Sequence, residues 1–337
     1  MSSPFLEYLF TEIYLPEGVD IPVFSRKHFG ADGALLLLVA LCATGLLFCS
    51  EKVAAAMSAS VDLCIKVLLP SLFPFFALSA MLVASGAVQR TAARLERFTR
   101  TAFALPGNCA AAVVLGAVGG YPVGAKTVAS LYKQGLCTKE DALHTLRFCN
   151  NAGPAFLIGA VGAGLFGNKS LGLFLYGLHL LSAFLIGVFF SLKKRNVKPC
   201  SITAFPEKKA SVIASFLSAV TGSFSAFLNV CAFVLLFSVI LCLFGQIPLF
   251  ATLNPFIKGL FYGMLELTSG TAALVSTAVP KRLLLAALSF LCGWGGLSVQ
   301  LQTICFLREA ELPCREYLRC KLLHGAVAAL LAFLICQ

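Results

Sequence analysis

The sequence predicts an all-α polytopic membrane protein, and three observations carry that prediction. First, 59% of its 337 residues are hydrophobic and only 12% charged, with mean hydropathy +0.90. Ordinary soluble domains carry about 45–50% apolar and about 25% charged residues. A 35.8 kDa globule cannot hide this much apolar surface from water. Second, apolar runs near 20 residues, the length that crosses a bilayer as a helix, recur along the chain. Third, basic residues gather between those runs. The composition excludes a soluble enzyme, a disordered chain, a coiled coil and a small disulfide scaffold.

Seven runs qualify as full spans. They are Ala31–Cys49, Leu63–Ser85, Ala142–Phe166, Ser170–Leu192, Ala226–Gly245, Leu283–Leu307 and Leu322–Ile335. Pro70 and Pro74 make the second of these kinked or late-starting. Two further stretches, Leu105–Gln134 and Asn254–Val279, are broken at their centres. The first reads Gly119-Gly120-Tyr121-Pro122-Val123-Gly124-Ala125-Lys126 and the second Leu265-Glu266-Leu267-Thr268-Ser269-Gly270-Thr271-Ala272. Non-helical backbone at membrane depth survives only buried in protein or beside a watery cavity. Both stretches are therefore expected to be re-entrant helical hairpins. The competing reading is two ordinary spans with weak centres.

Lysine and arginine total 26 against 15 acids, a net charge of +11. Cytoplasmic loops of membrane proteins concentrate such residues. With the N-terminus inside and each hairpin returning to its own side, the inside loops hold 18 of the 26. These are Arg26 and Lys27; Arg90, Arg94, Arg97 and Arg100; Lys133 and Lys139; Lys193, Lys194, Arg195, Lys198, Lys208 and Lys209; and Arg308, Arg315, Arg319 and Lys321. Lys52, Lys169, Lys281 and Arg282 fall outside. Charge thus reports topology, and nucleic acid is not an expected partner. The 14 cysteines show no CxxC pair and no zinc spacing. Several, such as Cys42, Cys49, Cys231 and Cys242, sit in apolar runs, where cysteine acts as a small hydrophobe. Glu7, Glu12, Glu17 and Asp20 speak against a cleavable signal peptide near the start.

The chain divides into five segments. Residues 1–30 are an N-terminal segment; 31–104 hold the first spans and a basic cytoplasmic loop. Residues 105–192 form a first unit of hairpin, broken helix and span. Residues 193–253 hold a basic loop, an interfacial helix over 210–222 broken at Thr221-Gly222-Ser223, and a linking span. Residues 254–337 form a second unit of the same order. Gly124 to His179 is 55 positions and Gly270 to His324 is 54. Three crossings between the hairpins invert the second unit, and inverted repeats with discontinuous helices mark secondary transporters.

Several residues are candidates for a solute site. Lys126 is costly at membrane depth and opens a half-helix whose N-terminus favours anions; its alternative is snorkelling to the interface. Gly119, Gly120, Tyr121 and Pro122 form the first turn. Glu266, Thr268 and Ser269 form the second, with Glu266 binding a cation, a proton or a donor group of the solute, or else pairing with Lys126 or Arg147. Asn150 and Asn151 supply donors and acceptors where Pro154 breaks the fourth span. Trp294 and Ser298 play the matching part in the second unit, Trp294 by stacking on a planar ring. His179 and His324, mid-span and equivalent, serve as proton relays or simply bond neighbouring helices. Paired catalytic carboxylates, a Ser/His/Asp set, metal-ligand spacing and a phosphate-binding loop are all missing from the sequence. No enzyme, cofactor or metal is expected, and the coupling ion is left open.

The run Leu69-Pro70-Ser71-Leu72-Phe73-Pro74-Phe75-Phe76, then Pro106-Gly107, then Gly120 to Lys126, resembles the sporulation integral membrane protein YlbJ (SpoVV) family. Phe148-Cys149-Asn150-Asn151-Ala152-Gly153-Pro154 and Phe156 to Val161 add to the likeness, which covers about residues 60–190 well and the C-terminal half loosely. Residues 151–153 and the N-terminus depart from the family pattern. That family is similar to nucleoside-recognition gate proteins and, more widely, to concentrative nucleoside transporters, with two opposed hairpins and two broken helices around a central site. The resemblance implies transport of dipicolinic acid from mother cell toward forespore, across the outer forespore membrane. Implied partners are a small anionic solute and the lipid bilayer; a homo-oligomer is compatible with the sequence. A nucleoside or nucleobase carrier and a non-transporting scaffold of a sporulation complex are the alternatives.

Overall fold

The computed structural model describes residues 43–84, 87–192 and 212–336, with isolated positions 33, 36 and 40. The N-terminal segment, most of the expected Ala31–Cys49 span and the basic loop at 193–209 lie outside the described residues. From Cys49 onward the chain clusters as one unit, and its regular structure among the described residues is helical throughout.

Helix α1 (Ser50–Leu63) runs through a π turn at Cys64–Leu68 into α2 (Leu69–Ala84). The π turn directly precedes Pro70, whose missing N–H and bulky ring disturb the normal ladder. Helix α3 (Ala87–Phe103) carries Arg94, Arg97 and Arg100. It meets the following helical segment at 91°.

The first broken stretch folds as α4 (Ala110–Gly119) and α5 (Val123–Lys133), joined by Gly120-Tyr121-Pro122. The two helices pack against each other so closely that a Cβ on Gly116 would lie 2.9 Å from Gly124 Cα. Asn108 closes the open end by donating Nδ2 to Leu136 O at 3.0 Å. Next comes α6 (Lys139–Leu146), whose N-terminus is fixed by a capping box between Thr138 and Asp141. Residues 147–153 leave the helix, and the chain resumes as a π helix over Ala155–Leu165. Helix α7 (Lys169–Ser191) completes the first set.

Helix α8 (Val212–Gly245) is continuous, which corrects the expected interfacial helix and its break at Thr221–Ser223. The polar side chains there need no break. Thr221 Oγ1 donates to Leu217 O and Ser223 Oγ to Ala219 O, each one turn back along the same helix. One helix in this place still provides one linking span.

The second broken stretch folds as α9 (Pro255–Leu265) and α10 (Leu267–Val275), with Glu266 alone as the turn. A Cβ on Gly270 would fall 2.0 Å from Gly263 Cα, so backbone lies on backbone. Helices α11 (Lys281–Trp294) and α12 (Gly296–Glu309) are parted by Gly295 at φ +91°. Helix α13 (Arg315–Ile335) ends the described chain.

Among the described residues, four helices are long and apolar enough to cross a membrane: Lys169–Ser191, Phe216–Gly245, Lys281–Glu309 and Arg315–Ile335; the bent pair of Arg94–Phe103 and Gly107–Gly119 makes a fifth if it counts as one span. Of the seven expected spans, Ala31–Cys49 lies mostly outside the described residues, and two others are interrupted. The Ala142–Phe166 run is split at 147–153, and Leu63–Ser85 holds the π turn. The apolar window of Lys281–Glu309 is 83% buried, against 33–39% for the other three. That broken helix is therefore the central one, and α7, α8 and α13 turn apolar side chains such as Phe189, Leu236 and Leu330 outward. For a polytopic membrane protein this outward face is the lipid-facing one.

Candidate functional site

The helix breaks converge. The first turn meets the break after α6: a Cβ on Gly120 would lie 2.9 Å from Gly153 N. The second turn meets the break between α11 and α12: a Cβ on Gly296 would lie 2.9 Å from Leu267 N. Glycine is required at both places, since Gly120 and Gly296 have φ +76° and +78°. Tyr121 ties the two halves together by donating its hydroxyl to Cys292 O at 2.5 Å.

Between these breaks lies a cleft of about 560 Å³, counted to its open mouth. Much of that space is open to solvent, and the room inside it for the centres of water-sized molecules is about 70 Å³. Leu68, Leu72, Phe156, Val230 and Val234 give it apolar walls, and Tyr121, Glu266, Thr268, Ser298 and Gln302 are its polar lining. Glu266 caps α10, accepting from Thr268 N at 2.9 Å and Ser269 N at 2.6 Å. Its two oxygens are thereby aimed by the helix it starts. The ion pairs considered from sequence do not form: Arg147 reaches Glu316 at 2.7 Å instead. No group of three metal-ligating side chains occurs among the described residues.

Four of the sequence candidates, Tyr121, Glu266, Thr268 and Ser298, therefore share one cleft. Gly119, Gly120 and Pro122 shape the turn behind it, and Ser269 contributes its backbone N–H to Glu266. Asn150 is buried deeper and donates to Thr303 Oγ1 at 3.1 Å and Tyr317 Oη at 2.8 Å. Asn151 donates to Phe148 O at 3.0 Å, while its Oδ1 is buried without a partner. Lys126 turns away from the cleft toward α8, its Nζ 3.4 Å from Gly222 O and 5.9 Å from the Phe306 ring centroid.

Trp294 is buried, and its indole N–H donates to Met264 O at 3.0 Å. The ring clamps α11 to the second hairpin and is not among the residues lining the cleft. Trp294→Phe should lower the unfolding free energy by about 1 kcal/mol, the usual worth of one such bond, with solute affinity unchanged. Paired thermal-unfolding and binding titrations check this; a large affinity loss at wild-type stability would assign Trp294 to the solute instead.

His179 and His324 meet with ring centroids 4.5 Å apart. His179 Nε2 accepts from Ala152 N at 3.0 Å. Its Nδ1 then carries the proton and has no partner. His324 donates Nε2–H to His179 O at 3.1 Å, which leaves Nδ1 as an acceptor.

That acceptor is used by Lys321, which sequence reasoning placed in a cytoplasmic loop. The structure corrects this: Lys321 lies inside α13, fully buried at 0% exposure. Its Nζ donates to Asn150 O at 2.7 Å, His324 Nδ1 at 3.0 Å and Tyr121 Oη at 3.4 Å. No carboxylate pairs with it among the described residues. A signal for it was present: Lys321 falls three residues before His324 on the buried stripe Tyr317, Lys321, His324 and Ala328, whereas Arg315 and Arg319 face outward.

Residues 65–169 match the family described as nucleoside recognition (Gate). The match runs from the π turn before α2 to the start of α7 and so includes the first hairpin and the Asn150 break. The chain is 30% identical over 302 residues to the sporulation integral membrane protein YlbJ of Bacillus subtilis (strain 168), covering 80% of this chain and 74% of the relative. No solved structure matches the chain.

Proposed function

We propose a carrier function from one premise: the chain belongs to the family of the sporulation integral membrane protein YlbJ, as a multi-pass membrane protein with a nucleoside-recognition region. The solute proposed is dipicolinate, a planar aromatic dianion, moved from mother cell toward forespore across the outer forespore membrane. One observation carries the reading. The cleft lies where broken helices converge, and a buried lysine without a paired carboxylate stands directly behind its Tyr121 wall. Phe156, Tyr121 and the aliphatic wall would flank a planar ring there. Its carboxylates would find Thr268, Ser298 and Gln302. Glu266 opposes a dianion, so the cleft needs positive charge nearby, and Lys321 is the cation behind it.

The architecture supports transport in a second way. Each half runs hairpin, broken helix, helix with one buried histidine, and the two histidines meet. We read this as the inverted repeat of a carrier resembling concentrative nucleoside transporters, in which the breaks alternate access to a fixed site. A second reading, a carrier of neutral nucleosides or nucleobases, is favoured by the cleft lining: hydroxyl, amide and carboxylate groups, with no basic side chain.

Uptake by the purified protein in proteoliposomes separates the two. Saturable uptake of labelled pyridine-2,6-dicarboxylate, not competed by uridine, is the expected result. Uridine uptake without dicarboxylate uptake would assign the second reading. In cells, deletion should lower spore dipicolinate severely; normal spore content would defeat the proposal.

A further inference from the structure

We propose that Lys321 is the proton-coupling site of this carrier: it holds a proton while the anionic solute occupies the cleft and gives it up when the cleft is empty. The inference rests on the carrier reading above and supplies what that reading leaves open, the coupled ion.

Geometry is the starting point. An ammonium group has three N–H donors. Lys321 finds three acceptors: the Asn150 carbonyl, His324 Nδ1 and the Tyr121 hydroxyl oxygen. All three are neutral, so the site satisfies the hydrogen-bonding of the cation without cancelling its charge. The elements packed around it add no counter-charge. Cys149 and the Asn150 carbonyl come from the break, Cys292 from α11, and Cys320 and Tyr317 from α13 itself. His179 is presented from α7, with its unpartnered Nδ1–H. None of these groups is a carboxylate. A buried charge held this way is expensive and is usually retained for function.

The cleft provides the missing partner. Glu266 accepts two backbone N–H groups on one side, and an anionic solute would sit beside its oxygens. A protonated Lys321 behind Tyr121 lowers that repulsion; a neutral amine does not. Solute and proton therefore favour each other's binding, which is reciprocal by linkage.

A path for the proton is also present. Tyr121 both lines the cleft and touches Lys321. The Tyr121 hydroxyl first turns its own proton from Cys292 O to a water in the cleft; a proton leaving Nζ then bonds to the hydroxyl oxygen as the hydroxyl's proton passes to that water. The lysine becomes a neutral amine, the hydroxyl regains its original form, and the water becomes hydronium. Loading runs the same steps backward. No oxidant or further reactant is involved.

The test uses the full chain in proteoliposomes, with labelled pyridine-2,6-dicarboxylate as solute and an entrapped pH dye. For one coupled proton, a gradient of about one pH unit, acid on the side of entry, should raise steady-state accumulation about tenfold. Solute entry should acidify the interior. Lys321→Arg keeps a fixed charge and should retain solute exchange at equal pH while losing both gradient responses. Wild-type uptake with no proton movement, or Lys321→Arg uptake that still follows the gradient, overturns this inference and leaves the carrier reading standing. Wild-type protein that carries no dicarboxylate overturns the carrier reading, and the inference falls with it.

Discussion

Gly270→Ala is expected to lower the unfolding free energy by about 3 kcal/mol, the upper end for overpacking a tight interior. The added methyl would stand 2.0 Å from Gly263 Cα and 2.1 Å from Gly263 N. These are backbone atoms, so no side-chain rotation can make room. Helix α10 would have to move off α9, and the Glu266 turn between them would move too. Thermal unfolding in detergent measures the loss. Gly177→Ala is the control, since nothing lies within 4 Å of its Cβ position. Gly270→Ala unfolding at the wild-type temperature would show that the hairpin is not packed as described.

Lys321→Met is expected to separate stability from function. The exchange removes a buried charge that has no counter-charge, which offsets the donor lost by Asn150 O and His324 Nδ1. The variant should therefore unfold at or above the wild-type temperature. Solute carriage should fall by more than about tenfold, equivalent to about 1.4 kcal/mol or more. Both quantities are read on one preparation. A sharp fall in unfolding temperature, with carriage per folded molecule unchanged, would make Lys321 a structural hub.

Much of the fold was legible because its breaks are written in residues that cannot continue a helix. Gly120 and Pro122 mark the first turn, and the second shows as the polar and glycine run Glu266 to Thr271 inside an apolar stretch. The breaks at 147–153 and Gly295 were also visible, since Asn150, Asn151, Pro154 and paired glycines stand in apolar runs. The histidine pair could be matched by spacing alone. What failed shares one cause: local polarity was read without knowing which way it faced. Thr221 and Ser223 looked like a break, yet their hydroxyls bond back into their own helix. Lys126 and Lys321 have the same side chain. The first stands in a conspicuous Gly/Pro motif and faces α8. The second lies at the edge of an apolar run, among outward-facing arginines, and points into the centre. Distinguishing them required the register of α13, which begins at Arg315, six residues before the lysine and seven before the apolar run.

The unbroken helix α8 has a consequence for the bilayer itself. Its 30-residue apolar stretch Phe216–Gly245 is about 45 Å long at 1.5 Å per residue, while a hydrocarbon core is about 30 Å thick. Tilting alone would require a lean of about 48°, beyond the usual range of about 0–40°. Leu217, Phe224, Leu228 and Leu236 are exposed along that length, so its surplus cannot rest comfortably in water. The protein must thicken the lipid around α8 or share that surface with another apolar neighbour. In the first case its resting place is matched to a membrane deeper than average, and lipid chain length becomes a control on its stability.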